Sequence, residues 1–203
     1  ASKRFFNLFG SPNLTGPGAI CHCSSFAVES ATYGSMAHSD LRNAACIVLW
    51  AHAPSESVPI PEWNAIVAAK KRDAKLIVID PRFTKEAEMA DLWLQIRPGT
   101  DAALMLGWLK IIVDEGLYDK DFVEKWTVGF DQLKERIAGY SPQRVSEITW
   151  IARDKIVEGA RIYATTKPAS LTWGLGCDKQ GVNLSHVARA RSILRAITGN
   201  LDV

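Results

Sequence analysis

The feature that most constrains the fold is a pair of short apolar segments separated by one stretch of helical character. Residues 46–50 (Cys-Ile-Val-Leu-Trp) and 75–80 (Lys-Leu-Ile-Val-Ile-Asp) have the length and the β-branched content of buried strands. Between them, Pro61 suits the first position of a helix that runs to about residue 72. This order predicts a βαβ unit, whose two strands are parallel and joined by a right-handed crossover.

The rest of the chain continues the alternation of strands and helices. Further strands are predicted at 92–96 and 169–173. Thr100 is predicted to cap the first of the later helices. The pattern predicts an α/β fold of three layers, in which a mostly parallel, Rossmann-like sheet carries helices on both faces. The later helices are predicted at 102–114, 120–126, 130–138, 142–149, 152–165 and from about 182 to 197.

The domain organisation is simple. No linker divides the chain, so residues 1–203 are predicted to form a single domain. Within it, residues 1–40 are expected to be irregular apart from a short helix at 25–31, because their apolar residues show no clean period.

Charge and hydropathy exclude two classes of partner. The sequence contains 24 Lys and Arg against 22 Asp and Glu, a net charge of +2, and no basic stripe. This balance argues against a nucleic-acid-binding surface. No apolar run is long enough to cross a bilayer, so no membrane contact is expected. The sequence has no signal peptide, which favours the cytoplasm without fixing the compartment.

Four cysteines are present: Cys21, Cys23, Cys46 and Cys177. A disulfide scaffold fits poorly with a chain of this length and apolar content. Cys46 lies inside a predicted strand and is predicted to be a buried thiol. Cys177 follows another strand and is a core thiol if the loop that contains it is an ordinary turn. Cys21 and Cys23 flank His22, but a zinc site normally needs a second pair of ligands, and the sequence shows none.

Polar loops follow the predicted strands at their carboxyl ends, where open α/β sheets bind ligands. Asp80 ends the second strand, where a carboxylate can accept hydrogen bonds from a ribose; an Asp-Pro-Arg turn explains it equally well. Residues 51–57 follow the first strand, and their amides with the Ser55 and Ser57 hydroxyls suit a pyrophosphate, whereas a capped loop is the alternative. The chain contains no Gly-x-Gly-x-x-Gly, which argues against an ordinary NAD site.

Two later loops carry the same kind of signal. Asp101 can accept hydrogen bonds from a base such as guanine, although helix capping explains it about as well. Gly174 and Gly176 let the backbone approach a flat ligand closely, with an ordinary turn as the alternative. Together the loops predict a nucleotide-like ligand that lies across the sheet. No role is assigned to the other three histidines, because they have no companion ligands at useful spacing: His38, His52 and His186.

Six motifs in this order resemble those of the bis-molybdopterin (dimethyl sulfoxide reductase) family of molybdopterin oxidoreductases, such as formate dehydrogenases and the tungsten acetylene hydratase. The similarity covers nearly the whole chain, and the third and fourth motifs are specific as a pair. The motifs are Gly18-Ala-Ile-Cys21-His22, Trp50-Ala-His-Ala-Pro-Ser-Glu-Ser57, Ile79-Asp-Pro-Arg82, Arg97-Pro-Gly-Thr-Asp-Ala-Ala-Leu104, Trp173-Gly-Leu-Gly176 and Leu194-Arg-Ala-Ile-Thr-Gly-Asn200.

The resemblance implies a cofactor and the residues that bind it. The cofactor is bis-molybdopterin guanine dinucleotide with molybdenum or tungsten, and this domain would hold the guanine end of one of the two pterins. Asp80 and Asp101 are implied to contact the nucleoside. Residues 54–57 are implied to lie along the pyrophosphate. The full set of cofactor-binding candidates is Pro54, Ser55, Ser57, Asp80, Pro81, Arg82, Gly99, Asp101, Trp173, Gly174 and Gly176, of which the last three line the pterin.

Cys21 and His22 are the catalytic candidates. By resemblance, Cys21 aligns with the cysteine or selenocysteine that ligates the metal, and a soft thiolate suits molybdenum or tungsten. His22 aligns with the histidine that follows this ligand in formate dehydrogenases and relays protons. One departure concerns the phosphate loop: the family has Gly-x-Asn-Pro where this chain has Ala51-His52-Ala53-Pro54. The Asn contact is lost, and Ala51 is expected to crowd a tight turn.

The resemblance also implies parts that this chain does not contain. Family members begin with a domain that binds a 4Fe-4S cluster and continue into segments that hold the second pterin. The expected partners are therefore a small-molecule substrate, the remaining domains of the parent enzyme and an electron-transfer iron–sulfur subunit. The parent enzyme is expected to carry out formate dehydrogenase-like two-electron chemistry. The alternatives are tungsten-dependent hydration, and an isolated domain that binds a nucleotide without activity.

Overall fold

The computed structural model describes residues 2–14, 16, 21, 23–57, 60–179 and 183–201. His22 and the predicted helix start near residue 182 lie outside these described residues. The strands are β1 (Cys46–Trp50), β2 (Lys75–Ile79), β3 (Leu92–Leu94) and β4 (Ala169–Trp173). The helices are α1 (Ser2–Phe9), α2 (Cys23–Tyr33), α3 (Pro54–Ser57), α4 (Ile60–Lys70), α5 (Lys85–Met89), α6 (Asp101–Asp114), α7 (Lys120–Trp126), α8 (Phe130–Ile137), α9 (Pro142–Thr149), α10 (Arg153–Thr165), α11 (Leu175–Lys179) and α12 (Leu184–Ile197).

The strands form one parallel sheet in the order β3-β2-β1-β4. Trp50 at the end of β1 is level with Ile79 on β2 and with Trp173 on β4. From β1 the chain moves to β2 and β3 on one side and reaches β4 on the other. The strand order therefore reverses at β1, and the crevice between the carboxyl ends of β1 and β4 is the switch point at which such sheets bind ligands.

The sheet is buried on both faces. In β1, Val48 and Trp50 belong to the larger core, which they share with α6, α10 and α12. Ile47 and Leu49 point to the opposite face and belong to a second core with Ile66 of α4. Successive strand residues alternate between faces, so a run of apolar residues is what a strand between two layers requires. The prediction of a three-layer α/β fold with helices on both faces is confirmed.

Some predicted elements were wrong. Residues 1–40 are less irregular than expected, because α1 lies there, and the short helix predicted at 25–31 is part of the longer α2. The strand predicted at 92–96 ends at Leu94. The Asp80 amide still donates to the Leu94 carbonyl, but the next amide on that side, Arg82, donates to the Asp80 carboxylate and so does not continue the ladder. Thr100 precedes α6 without capping it, since its hydroxyl donates to the Arg97 carbonyl at 2.7 Å. The short helices α3, α5 and α11 were not predicted.

The prediction that Cys46 is a buried thiol is confirmed, and Cys177 is a core thiol as its ordinary-turn alternative required. The side chains of Cys46 and Cys177 are both fully buried, and burial raises the pKa of the Cys46 thiol to about 12.

Within the described ranges, no helix has the length and apolar content that crossing a membrane demands.

Two glycines allow the helices of the larger core to pack closely. A Cβ built on Gly159 of α10 would stand 2.8 Å from Cζ2 of Trp108, which is fully buried on α6. A Cβ on Gly107 of α6 would stand 2.8 Å from a methyl group of Val145 on α9. Both distances are shorter than van der Waals contact, so α6 approaches two helices only because these positions have no side chain.

Replacing Gly159 with alanine tests this packing against intrinsic helix preference. Helix propensity alone would make Gly159→Ala stabilising by about 1 kcal/mol. Displacement of the Trp108 ring by the new methyl group is expected to reverse the sign and destabilise the fold by about 1–3 kcal/mol. Urea unfolding measures the change, and Gly139→Ala is the control, because a Cβ there meets no atom within 4 Å. A Gly159→Ala protein at least as stable as its parent would contradict this packing.

Candidate functional site

A cavity of about 710 Å³ lies at the carboxyl ends of β1, β2 and β4, at the switch point of the sheet. Its volume is within the range of small-molecule sites. The wall is contributed by the segments before and after α2, the loops after the three strands, and the starts of α4 and α11. The lining residues are Cys21, Met36, Ala37, His38, Ser39, Ala51, His52, Ala53, Glu56, Ser57, Glu62, Asp80, Arg82, Thr172, Trp173, Gly174, Leu175, Gly176 and Asp178.

The floor of the cavity is set by contact between the loops after β1 and β4. The Gly174 amide donates to the Trp50 carbonyl at 2.9 Å, and a Cβ at Gly174 would stand 2.0 Å from the Ala51 carbonyl oxygen. A Cβ at Gly176 would stand 3.1 Å from the Ala51 Cβ. The close approach predicted for these glycines is therefore made to the protein's own backbone. Ala51 has a φ of +48°, a left-handed conformation that glycine adopts more readily.

Asp80 forms the expected turn and also lies where it could contact a ligand, so the structure is compatible with both interpretations of its position in the sequence. Its Oδ1 accepts a hydrogen bond from the Arg82 amide at 2.8 Å, which is the expected turn. The side chain also lines the cavity. Burial raises the pKa of Asp80 above its usual range, against the opposing effect of Arg82. Arg82 lies beside two carboxylates, with Nη1 at 3.4 Å from Glu56 and Nε at 3.8 Å from Asp80.

Two of the groups predicted to bind pyrophosphate already have partners within the protein, whereas the Ser55 hydroxyl is buried without a hydrogen-bond partner among the described residues. The Ser55 amide donates to the buried carboxylate of Glu86 at 2.7 Å. The Ser57 hydroxyl donates to the Ala53 carbonyl at 2.9 Å. The capped loop is therefore present, although Ser57 still lines the cavity.

Five of the cofactor-binding candidates do not line the cavity: Pro54, Ser55, Pro81, Gly99 and Asp101. Asp101 is buried, and its Oδ1 accepts a hydrogen bond from the Trp50 indole at 2.7 Å. Burial raises the pKa of Asp101, while the bond from Trp50 opposes the rise. Gly99 lies in an exposed turn with a φ of +81°.

Cys21 is the cysteine of the cavity wall, whereas the side chain two positions later, Cys23, is exposed and does not line it. Within the described residues, no group of three or more His, Cys, Asp or Glu side chains could enclose a metal ion. A metal at Cys21 would therefore need most of its ligands from elsewhere. A single soft donor beside a large cavity fits a metal that is bound mainly through the sulfur atoms of a cofactor.

Two residues that the sequence analysis left without a role lie in the cavity wall. His52 Nε2 is 3.0 Å from Glu62 Oε1, and only 11% of the His52 side chain is exposed. The position of His52 in the sequence could have pointed to this site, because His52 follows β1, the strand at which the sheet order reverses. His38 also lines the cavity.

A cluster of buried charges lies directly behind this wall. The guanidinium carbon of Arg191 is 3.7 Å from the centroid of the Trp173 ring, and that of Arg195 is 4.7 Å away. Arg191 and Arg195 pair with Glu29 at 3.1 and 3.2 Å. Glu29 and Arg191 are fully buried. No sequence motif pointed to Glu29, because its partners lie more than 160 residues away.

Comparison with known proteins places this geometry in a family. Residues 1–197 match the molybdopterin oxidoreductase family. Acetylene hydratase of Syntrophotalea acetylenica is 44% identical over 98% of the chain. Formate dehydrogenase H of Escherichia coli is 32% identical over 96% of the chain. The chain spans 27% of the length of each of these two relatives.

The solved structure of acetylene hydratase from Pelobacter acetylenicus superposes with a TM-score of 0.88 at 43% identity, over 99% of this chain and 28% of that one. The likeness therefore extends from the sequence to the arrangement of the whole described fold. This chain belongs to the molybdopterin oxidoreductase family.

Proposed function

We propose that this chain holds the nucleotide end of one molybdopterin guanine dinucleotide and supplies Cys21 as the protein ligand of its molybdenum or tungsten. The observation that carries the proposal is that Cys21 and the carboxyl ends of three parallel strands line one cavity. A bound nucleotide at this edge of the sheet is the arrangement that the switch point favours.

The residues of the wall have separable tasks in this proposal. The Asp80 carboxylate accepts hydrogen bonds from hydroxyl groups of the nucleoside. Arg82 lines the cavity, and its guanidinium suits a phosphate oxygen. On binding the phosphate, Arg82 would leave its present ion pair with the exposed Glu56. Trp173 and Gly174 form the flat part of the wall. Asp101 is assigned to the guanine by resemblance, with one oxygen already engaged by Trp50.

The bound metal–pterin group supplies either two-electron transfer or activation of water. We propose formate dehydrogenase-like two-electron chemistry for the parent enzyme, because His22 directly follows Cys21 as in that resemblance. In this proposal a 4Fe-4S cluster, the second pterin and an electron-accepting subunit belong to other parts of the enzyme. Hydration is the second candidate, favoured by the 44% identity to acetylene hydratase. Taken alone, the chain is proposed to bind without turnover.

Cys21→Ala tests the ligand in the longest natural chain that contains these residues, purified without oxygen. The variant is expected to keep its pterin but to lose metal, or to change the metal coordination, because the thiolate is removed. Metal analysis by mass spectrometry and fluorescence of the oxidised pterin measure both. Cys23→Ala is the matched control, since that thiol is exposed outside the cavity. A folded parent enzyme that contains neither pterin nor metal would contradict the proposal.

Asp80→Asn tests whether the buried carboxylate serves binding rather than folding. A raised pKa means that the folded state holds a proton on Asp80 more readily than the unfolded chain. The free energy of unfolding therefore rises as the pH falls through this pKa, and the charged form is a cost at pH 7. The variant keeps an acceptor for the Arg82 amide, so its stability is expected to be unchanged or higher by up to about 1 kcal/mol. Its cofactor retention is expected to fall about tenfold or more.

The control for Asp80→Asn is Asp91→Asn. Asp91 accepts hydrogen bonds from Lys70 and from the Leu76 amide, both at 2.7 Å, and lies outside the cavity wall. Although burial opposes the effect, these bonds lower the pKa of Asp91. Asp91→Asn is expected to lose stability and to retain cofactor. Equal cofactor retention in the two variants would remove Asp80 from the binding site.

The reaction itself is decided by assaying one preparation with two substrates. We expect the parent enzyme to oxidise formate only when an electron acceptor is present. Hydration of acetylene without any acceptor, in a preparation that leaves formate unchanged, would replace the two-electron proposal with the hydratase.

A further inference from the structure

The segment that follows Cys21 is attached to the rest of the molecule by charged groups. α2 begins two residues after Cys21, and its buried residues include Ser25 and Glu29. It packs against α12, where Arg191 and Arg195 are buried as well. Burying charges costs free energy even when they are paired, and well-packed apolar residues often hold helices together equally well. Stability alone does not explain this composition.

The Glu29 carboxylate joins three separate segments. Its Oε1 accepts hydrogen bonds from Arg191 Nη2 at 3.1 Å and from Arg195 Nη1 at 3.2 Å. Its Oε2 accepts one from the Ala37 amide at 3.0 Å. Ala37 belongs to residues 36–39, which line the cavity. One buried side chain thus fixes α2 to α12 and to the extended part of the cavity wall.

The two arginines carry this connection to the opposite wall. Both lie over the Trp173 ring. Arg191 also donates to the Ser25 hydroxyl at 2.8 Å, and this hydroxyl donates in turn to Asp178. Trp173 and Asp178 both line the cavity. The network therefore reaches the wall on the α2 side and on the β4 side.

The network of Glu29, Arg191, Arg195, Ser25 and Asp178 leaves some of its polar atoms without hydrogen bonds in the part of the chain that the structure describes. Among the described residues, Asp178 Oδ2 and the Nε and Nη1 atoms of Arg191 are buried without a hydrogen-bond partner. Two of these atoms make only longer ion pairs, Arg191 Nη1 with Asp178 Oδ1 at 3.6 Å and Asp178 Oδ2 with Lys179 at 3.8 Å. Such atoms cost stability and call for an explanation. A network that maintains a fixed geometry at some cost in stability provides one.

We infer that Glu29 is a positioning residue, which sets the distance between the Cys21 side of the cavity and Trp173 through Arg191 and Arg195. The inference rests on the proposed function, because it takes Cys21 as the metal ligand. Glu29 contacts neither substrate nor metal in this scheme. It determines where the Cys21 sulfur stands relative to the surface on which the cofactor lies.

Glu29→Asp in the full-length metal-loaded enzyme tests the inference. The change keeps the charge but shortens the side chain by one methylene group. The carboxylate then no longer reaches Arg191 and Arg195 while α2 and α12 keep their present separation. The metal and pterin contents are expected to stay at the parental level. The electron paramagnetic resonance spectrum of the metal is expected to depart from the parental spectrum, and X-ray absorption to show a weakened contribution from the cysteine sulfur.

Glu115→Asp is the matched control. Glu115 accepts two hydrogen bonds of 2.8 Å from Arg161 on the protein surface, outside the cavity. The same shortening of an Arg–Glu pair is made there, so the parental metal spectrum is expected. Thermal unfolding of each variant establishes that the protein measured is folded.

The outcomes separate the inference from the function on which it rests. If Cys21→Ala leaves both the metal content and the metal spectrum unchanged, the proposed ligand is wrong. If Cys21→Ala loses metal or changes the spectrum but folded Glu29→Asp retains the parental spectrum, the ligand stands and the positioning role is overturned. If Glu29→Asp does not fold, Arg191→Lys decides, since it keeps the charge without the planar group over Trp173. A parental spectrum in that variant also overturns the inference.

Discussion

The architecture of the site depends on how closely two loops approach after β1 and β4. At 2.0 Å from the Ala51 carbonyl oxygen, no side-chain atom fits at position 174. This contact joins the two strands between which the sheet order reverses, so it closes the floor of the crevice and holds its two sides together. Ala51 keeps a left-handed backbone there, at a cost of about 1–2 kcal/mol for a residue with a Cβ. Backbone strain of this kind is commonly found at functional sites.

The elements that the sequence predicted well are those whose buried face is apolar. β1, β2 and β4 are continuous runs of large apolar residues between two layers, and their parallel order followed from the helix between the first two. α2 was predicted only in part, at 25–31, because the face it buries includes Ser25 and Glu29, which hydropathy assigns to the surface. The end of β3 was missed because it depends on the turn after β2, in which the Arg82 amide donates to the Asp80 carboxylate. The cavity was found where strand ends meet, but its ion pairs join residues too distant in sequence for any spacing rule.

Two buried carboxylates show opposite relations between structure and function. Asp101 is buried, and one of its carboxylate oxygens accepts a hydrogen bond from the Trp50 indole, which fixes the end of β1. Asp80 is equally buried but lines the cavity. Burial raises the pKa of both, so each charged form weakens the fold at neutral pH. Asp80 lines the cavity, where a ligand can offset that cost, whereas the bond from Trp50 offsets part of it for Asp101.

The pairing of α2 with α12 has a consequence for how the protein is made. Glu29 meets Arg191 and Arg195 across more than 160 residues. The strands β1, β2 and β3 pair with one another within residues 46–94, so they can form while synthesis is still under way. The helix next to Cys21 cannot dock until almost all of this region has left the ribosome. The wall that carries the thiol is therefore among the last parts of this region to take its final form.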